Sequence, residues 1–394
     1  MKIGIFSECY SPTINGVVIS IETFRKQLEK KGHEFYIFAP GCRHFKDANP
    51  NVFRSPSISI PGRSFYPVAL PFLASSLYAK AASLNLDLIH SQHIFSMGRL
   101  GLKIARKLDI PIIHTYHTLL TEYTYYVPLL ANFAKKFVIN MSVDYCNRCD
   151  QIVTPSKPMR KVLLAYGIKT PIEVIPTGIP LEKFARLDNR PLKTKWDIPE
   201  RQKILLFVGR LAKEKNIHFL FDAFLKIIKE YPDVHLIMVG GGPEENNLKE
   251  QVKTLDLFKN ITFTGYLPKE EVEKIFASAD IFVFPSKTET QGIVVAEAMA
   301  AGTVPVAVDK MGPTDVISDK IDGFLVPENI DEFADKILRL LKDDNLRAVM
   351  SQKAMEKAKN FSDERTAEHL ENLYVKVKNS YFAYLPFTNE VSEG

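Results

Sequence analysis

A chain of 394 residues, 46% hydrophobic and 25% charged, is too long for one ordinary core and too apolar for a disordered protein, so two soluble globular domains are expected. Four cysteines are too few for a disulfide framework at this length and favour a reducing cytosol, and the opening MKIGIFSECYSP carries no cleavage pattern; nor does any run approach 18 uninterrupted apolar residues, which excludes a membrane-spanning helix. The net charge of +5 hides an asymmetry, with 24 Lys and Arg against 13 Asp and Glu in residues 1–190 and 27 against 33 thereafter. A polyanionic partner, nucleic acid or anionic membrane, is therefore expected for the first half only.

In chain order, KIGIFSE (2–8), EFYIFAP (34–40), LDLIHSQ (86–92), PIIHTYH (111–117), QIVTPS (151–156) and IEVIPTG (172–178) are short apolar runs of the kind that form buried parallel strands. Amphipathic segments near 17–31, 71–84, 98–108, 130–149 and 157–166 supply the crossover helices, giving a doubly wound α/β domain over residues 1–180. Asn15 and Gly16 stand at the first loop-to-helix junction, where a glycine lets backbone approach a phosphate. The GxGxxG fingerprint is missing, which leaves an NAD dehydrogenase as the weakest reading. His117 closes a middle strand, and Cys146 and Cys149 form a lone CxxC without a second metal-ligand pair, so no metal site is expected.

Pro180, Pro191, Pro199 and a run of charges then interrupt the periodicity and mark a linker around 179–200. The pattern restarts with strands at 203–210, 235–242, 261–266, 280–286, 304–309 and 323–327, and with helices near 216–231, 244–255, 269–278, 292–301 and 331–343, a second doubly wound domain over 200–362. In GRLAKEKN (209–216), Arg210 and Lys215 follow a strand directly, and two cations there suit a diphosphate. In SKTETQGIVVAEAMAAG (286–302), Glu289 precedes a helix start and Glu297 lies inside the helix, roughly 8 to 10 Å further along at about 1.5 Å per residue. That spacing suits a grip on two polar groups, with an anion at the helix start between them. Ser286, Thr288 and Thr290 are the candidate caps. A last helical segment, 363–384, has no strand after it, and the tail 363–394 is expected to return to brace the first domain.

Together these features resemble the retaining nucleotide-sugar glycosyltransferases of the GT-B fold, the family-four type: a glycine loop after the first strand, a histidine ending a middle strand, Arg-x4-Lys opening the second domain, and E-x7-E. VIPTGI, the GGGP turn, TFTGYLP and EAMAAGTVPVAV extend the resemblance over nearly the whole chain. Two departures stand out. Thr177-Gly178-Ile179-Pro180 occupies the place of a common Asn-Gly-Val-Asp, and Gln291 that of a common aromatic. Residues 7–19 (SECYSPTINGVVI), 115–128 (TYHTLLTEYTYYVP) and 286–302 are closest in wording to the 1,2-diacylglycerol 3-alpha-glucosyltransferases.

The resemblance implies two facing Rossmann-like domains with an interdomain cleft, the first for the acceptor and the second for a UDP-sugar donor. It implies that Glu297 holds the ribose and that Glu289 and the backbone of Thr290, Gln291, Gly292 and Ile293 hold the sugar. Arg210, Lys215 and the Gly16 amide would meet the diphosphate, with His117 at the sugar and the base near Tyr266 and Leu267. No metal is required, in keeping with the absence of an Asp-x-Asp sequence. A lipid acceptor fits the basic first half, and peripheral attachment to the inner face of the cell membrane is expected through Arg54, Arg63, Phe65 and Tyr66, through Arg99, Lys103, Arg106 and Lys107 on one helical face, and through Lys135 and Lys136; Tyr123 and Tyr126 join the acceptor set. Competing readings are the same chemistry on a soluble sugar, phosphoinositol lipid or exopolysaccharide acceptor, and a nucleotide-sugar-binding protein without turnover. Nucleic-acid binding lacks a recognition helix or an aromatic-basic repeat.

Overall fold

A computed structural model describes residues 1–13, 15–42, 45–58, 67–70, 75–122, 131–184 and 192–383, and the chain divides into two compact units, Met1–Gly178 with Glu364–Gly394, and Ile179–Asp363.

The first unit is built on β1 (Lys2–Phe6), β2 (Glu34–Pro40), β3 (Val52–Ser55), the short antiparallel pair β4 (Ser57–Ile58) and β5 (Val68–Ala69), then β6 (Leu88–Ser91), β7 (Ile112–Thr115), β8 (Gln151–Thr154) and β9 (Ile172–Val174). Its main sheet runs β3-β2-β1-β6-β7-β8-β9, all parallel. Helices α1 (Gly16–Lys30), α2 (Ser75–Ser83), α3 (Ser96–Leu108), α4 (Ala131–Cys146) and α5 (Lys157–Tyr166) make the crossovers. The predicted strands come out as continuous apolar runs because helices cover both faces of such a sheet.

The second unit opens with α6 (Leu181–Phe184) and α7 (Leu192–Lys195). The described ends of the stretch expected to be a linker belong to the unit: Ile179, Phe184 and Ile198 lie in its core beside Leu206, Phe282 and Met299. Strands β10 (Lys203–Val208), β11 (Val234–Val239), β12 (Ile261–Gly265), β13 (Ile281–Phe284), β14 (Val304–Val308) and β15 (Phe324–Val326) form a parallel sheet in the order β12-β11-β10-β13-β14-β15. Around it lie α8 (Ile217–Glu230), α9 (Glu245–Thr254), α10 (Lys269–Ser278), α11 (Ile293–Ala300), α12 (Pro313–Val316), α13 (Ile330–Lys342) and α14 (Asp344–Ala358). On α8 the apolar spacing of Ile217, Leu220, Phe221, Phe224 and Ile227 turns one face onto Leu205, Phe207 and Met238. Burying each such side chain contributes about 1.5 to 3 kcal/mol.

The last helix, α15 (Asp363–Ala383), returns to the first unit. Ala367, Leu370, Leu373, Tyr374 and Val377 enter the core formed by Ile3, Ile5, Phe24, Phe35 and Leu88, and Lys378 pairs with Asp87 at 2.6 Å.

Candidate active site

In each unit the strand order reverses direction at one place: between β10 and β13 in the second, between β1 and β6 in the first. The carboxyl ends of those strands are where open α/β sheets bind ligands; Gly16 follows β1, Arg210 and Lys215 follow β10, and Glu289 follows β13, while His117 follows β7 and Tyr266 follows β12.

In the second unit the chain leaves β10 through Gly209 and Arg210, makes a single 3-10 turn at Lys213–Lys215, and enters α8 by way of Asn216 in the left-handed region. Lys215 Nζ lies 2.5 Å from Glu289 Oε2 and 5.7 Å from the centre of the Phe284 ring, while the two charged side chains remain only 17% and 23% exposed. The spacing of Arg210 and Lys215 did not foretell this direct pairing across 74 residues of sequence. Arg210 is exposed, and its guanidinium has no hydrogen bond or ion pair among the described residues.

The loop from β13 to α11 is fixed by backbone rather than by hydroxyl caps. The N-cap is Gly292, in the left-handed region at φ 85°, so the capping expected of Ser286, Thr288 or Thr290 does not occur. Gly312 N–H donates to Glu289 O at 2.7 Å, and Gly312 lies so close that a Cβ there would stand 2.5 Å from the Gln291 carbonyl carbon. Gln291 is turned inward at 5% exposure, while Thr290 and Ile293 are half-buried. The first helical bonds of α11 run from Val295 N and Ala296 N to Gly292 O, so the N–H groups of Ile293 and Val294 precede them at the helix start, an arrangement suited to an anion.

Glu297 sits midway along α11 with its side chain 13% exposed and Lys269 Nζ 3.9 Å from its Oε1. Burial pushes its carboxyl up to about 7, helped by the charge of Glu273 and opposed by Lys269 and Lys183. Tyr266 is 78% exposed and donates its hydroxyl to Gly241 O at 3.0 Å, which leaves a ring face open beside the half-buried Leu267. The GGGP turn is needed for close packing: a Cβ on Gly240, whose φ is 122°, would stand 2.1 Å from Gly209 O.

In the first unit Asn15 caps α1, its Oδ1 accepting from Val18 N at 3.0 Å. A Cβ on Gly16 would meet nothing within 4 Å, so the space over this helix start is open. After β7, His117 Nε2 is 2.7 Å from Gln92 Oε1, and burial with the neighbouring His93 and His114 holds its basicity well below the ordinary histidine range. His117 is therefore neutral near pH 7. Its companions were missed, although the sequence repeats them: IHSQH and IHTYH place His90, His93, His114 and His117 at adjacent strand ends. His90 lies 2.6 Å from both the Tyr374 hydroxyl and the Thr115 hydroxyl, while Nε2 of the buried His114 has no hydrogen-bond partner among the described residues.

The surface candidates divide. Arg63, Phe65, Tyr66, Tyr123 and Tyr126 lie outside the described residues. Arg54 is not available as a membrane contact: its guanidinium binds Asp47 at 2.6 and 2.9 Å, Pro40 O at 2.9 Å and Ser11 O at 2.6 Å, an internal strut. Of the four cations on α3, Lys107 turns to the Tyr78 ring at 4.8 Å, whereas Arg99, Lys103 and Arg106 line a groove with Leu102 and Arg148, partly balanced by Asp144 and Asp150. Lys135 and Lys136 are exposed on α4 between Phe133 and Phe137, themselves 71% and 58% exposed. Cys146 and Cys149 are buried free thiols, the first pushed up to about 12 by burial. No helix among the described residues is long and apolar enough to cross a membrane.

Two doubly wound units, the first with an open helix start at Gly16 and the second with Arg210, Lys215 and Glu289 beyond its switch-point strands, give the layout of two Rossmann-like domains. Residues 14–183 match the family described as Glycosyltransferase Family 4, and residues 188–357 match Glycosyl transferases group 1. The chain is 35% identical over 335 residues (82% of this chain, 75% of the relative) to an alpha-monoglucosyldiacylglycerol synthase of Streptococcus pneumoniae, and 32% identical over 387 residues (95% and 97%) to one of Acholeplasma laidlawii. A GDP-mannose-dependent alpha-mannosyltransferase of Corynebacterium glutamicum is 29% identical over 334 residues (83% and 76%). In fold it is similar to the sucrose-phosphate synthase of Thermosynechococcus elongatus (TM-score 0.80, 20% identity, 96% of this chain and 99% of the other) and to the Anabaena HepE protein in complex with UDP-glucose (TM-score 0.77, 18%, 95% and 100%). The chain belongs to the group 1/family 4 glycosyltransferases of GT-B fold.

Proposed function

We propose that this glycosyltransferase transfers glucose from UDP-glucose to 1,2-diacylglycerol at an anionic membrane surface, with retention at the anomeric carbon and without a metal. The observation that carries the reading is the identity, above 30% over most of the chain, to two alpha-monoglucosyldiacylglycerol synthases. The HepE complex with UDP-glucose supports the donor by likeness of fold.

In this reading the leaving diphosphate develops charge as the glycosidic bond breaks, and Arg210, Lys215, the Gly16 amide and the start of α11 offset it, the task for which preorganised cations and N–H groups are effective. A phosphate oxygen of the departing UDP takes the acceptor hydroxyl proton on the face the acceptor attacks, so no carboxylate nucleophile is needed. Glu289 holds sugar hydroxyls and, through its contact with Lys215, sets the position of that ammonium. His117, neutral and anchored on Gln92, serves as a hydrogen-bonding group toward the sugar rather than as a charge. Glu297 holds the ribose, and Tyr266 offers a face to the base. Lys135 and Lys136 with the exposed Phe133 and Phe137, together with the α3 groove, support attachment to anionic lipid at roughly 1 kcal/mol per cation near the surface.

The likeness to a GDP-mannose-dependent enzyme favours one alternative, the same chemistry with another donor and acceptor. The test is UDP release from UDP-glucose, with and without diacylglycerol in mixed micelles containing anionic lipid, followed by analysis of the lipid. Diacylglycerol-dependent release with an α-linked glucolipid is expected. Release that ignores diacylglycerol, or turnover only with GDP-mannose, would redirect the acceptor or the donor respectively.

A further inference from the structure

We infer that Lys269 is a positioning residue for the donor, holding the Glu297 carboxylate anionic and oriented so that both its oxygens can accept from the vicinal hydroxyls of a ribose. This rests on the reading of Glu297 as the ribose contact.

The geometry places four charges in one small region of the second unit. Glu297 on α11 is faced by α10, which carries Lys269 at its first residue and Glu273 one turn later, and by Lys183 on α6. Lys183 Nζ is 3.2 Å from Glu273 Oε1, and Lys269 Nζ is 3.9 Å from Glu297 Oε1, so each buried carboxylate has its own lysine. Two further helices pack on α11: α14, whose Ala354 and Ala358 lie in one apolar cluster with Val295 and Met299, and α12, which carries Asp315; the charges that act on Glu297 are those of Lys269, Glu273 and Lys183. With little water to solvate it and a second carboxylate nearby, Glu297 has its charge supported chiefly by Lys269; Lys183 is committed to Glu273. Burial alone would favour a proton on Glu297, and its carboxyl is pushed up to about 7 even with both lysines in place. The protonation state decides recognition. A carboxylate offers two acceptor oxygens to a diol, whereas a carboxylic acid presents a donor where one hydroxyl must donate. Lys269 also follows Tyr266 by three residues, so the turn that offers a face to the base continues into the residue that charges the ribose acceptor.

The experiment measures binding of UDP and of 2′-deoxy-UDP by calorimetry, at pH 6 to 9, to the full chain and its Lys269→Met, Lys269→Arg and Glu297→Gln variants. The full chain is expected to prefer UDP. In Lys269→Met that preference falls about tenfold at pH 7 and recovers toward pH 9, where Glu297 ionises without help; Lys269→Arg retains it. Lys269 is 43% exposed, so the substitutions leave the fold standing, and thermal unfolding checks this. If Lys269→Met keeps the wild-type preference and pH profile while Glu297→Gln abolishes it, the inference is wrong and the ribose reading stands. Equal weakening of UDP and 2′-deoxy-UDP in Lys269→Met also overturns it, pointing to a phosphate contact instead. No preference in the unmodified chain, or a preference that survives Glu297→Gln, overturns the ribose reading together with the inference.

Discussion

Lys215 and Glu289 are the residues on which the proposed chemistry concentrates, and their contact changes what single substitutions mean. Removing Glu289 leaves a part-buried ammonium without its carboxylate, and removing Lys215 does the reverse. Glu289→Ala and Lys215→Ala are each expected to lower kcat by about 100- to 1000-fold with donor saturating. The double substitution should cost less than the product of the two, since groups in contact are coupled. Steady-state kinetics on the four proteins checks this, and strict additivity would count against a shared function. At this scale the sequence exposed the chemistry through charged residues placed directly after apolar strands. It hid the pairing, because partners so far apart in the chain meet only once two parallel strands are neighbours. It also hid Arg54, whose loop looked like a membrane contact but whose guanidinium is spent on Asp47 and two carbonyls.

Strands and helices show two opposite uses of glycine. At Gly240 the backbone is left-handed and a methyl group would strike Gly209 O, so Gly240→Ala is expected to destabilise the second unit by about 1 to 3 kcal/mol or more, read as a lower urea midpoint. Gly16 opens α1 with open space above it, and Gly16→Ala should leave the urea midpoint unchanged or raised by the equivalent of about 0.5 to 1 kcal/mol. It should nevertheless lower kcat/KM if phosphate approaches that amide, and unchanged kinetics would remove Gly16 from the site. Parallel strands were legible because burial on both faces writes them as unbroken apolar runs. The elements that escaped notice have weaker signatures. The strand β3 is four residues long at the edge of its sheet, β4 and β5 are two residues each in a separate antiparallel pair, and α14 presents its core face largely through Met350, Ala354 and Ala358, where alanine gives little contrast. The proline-broken stretch before β10 looked like a tether because its anchors, Ile179, Phe184 and Ile198, are isolated among polar residues.

For the whole molecule, the two units are expected to respond to acid differently. In the first, burial lowers His90 and His114 to about 3, His93 to about 4, and His117 well below its ordinary value. Groups with depressed basicity take up protons more readily when unfolded, so their stabilising contribution is complete above about pH 6.5 and is lost as pH falls toward the folded values, by up to about 1.4 kcal/mol per pH unit for each. The second unit has one such histidine, His235 at about 4, and in Glu297 a group of opposite sign, whose contribution is complete below about 4.5 and is lost as pH rises through about 7. The single tryptophan, Trp196, packs against the core of the second unit and reports on it alone. Between pH 6.5 and 4, helical ellipticity should therefore decline before Trp196 fluorescence changes; coincident transitions would contradict this account. Leu370→Ala in α15 should cost about 2 to 5 kcal/mol and unfold the first unit preferentially, although it lies 192 residues beyond Gly178.

That return of α15 has a consequence for synthesis. A ribosome delivers the strands of the first unit early, yet the side chains that finish their packing, from Ala367 to Val377, emerge only after the whole of Ile179–Asp363. The second unit is an insertion within the first, and it is complete as a contiguous piece of chain before its host is. A nascent polypeptide halted near residue 363 would carry a closed second unit and an unfinished first one, its apolar surface around Ile3, Phe24 and Leu88 waiting for the last helix. The order in which the two halves become resistant to protease during translation is then the reverse of the order in which they are encoded.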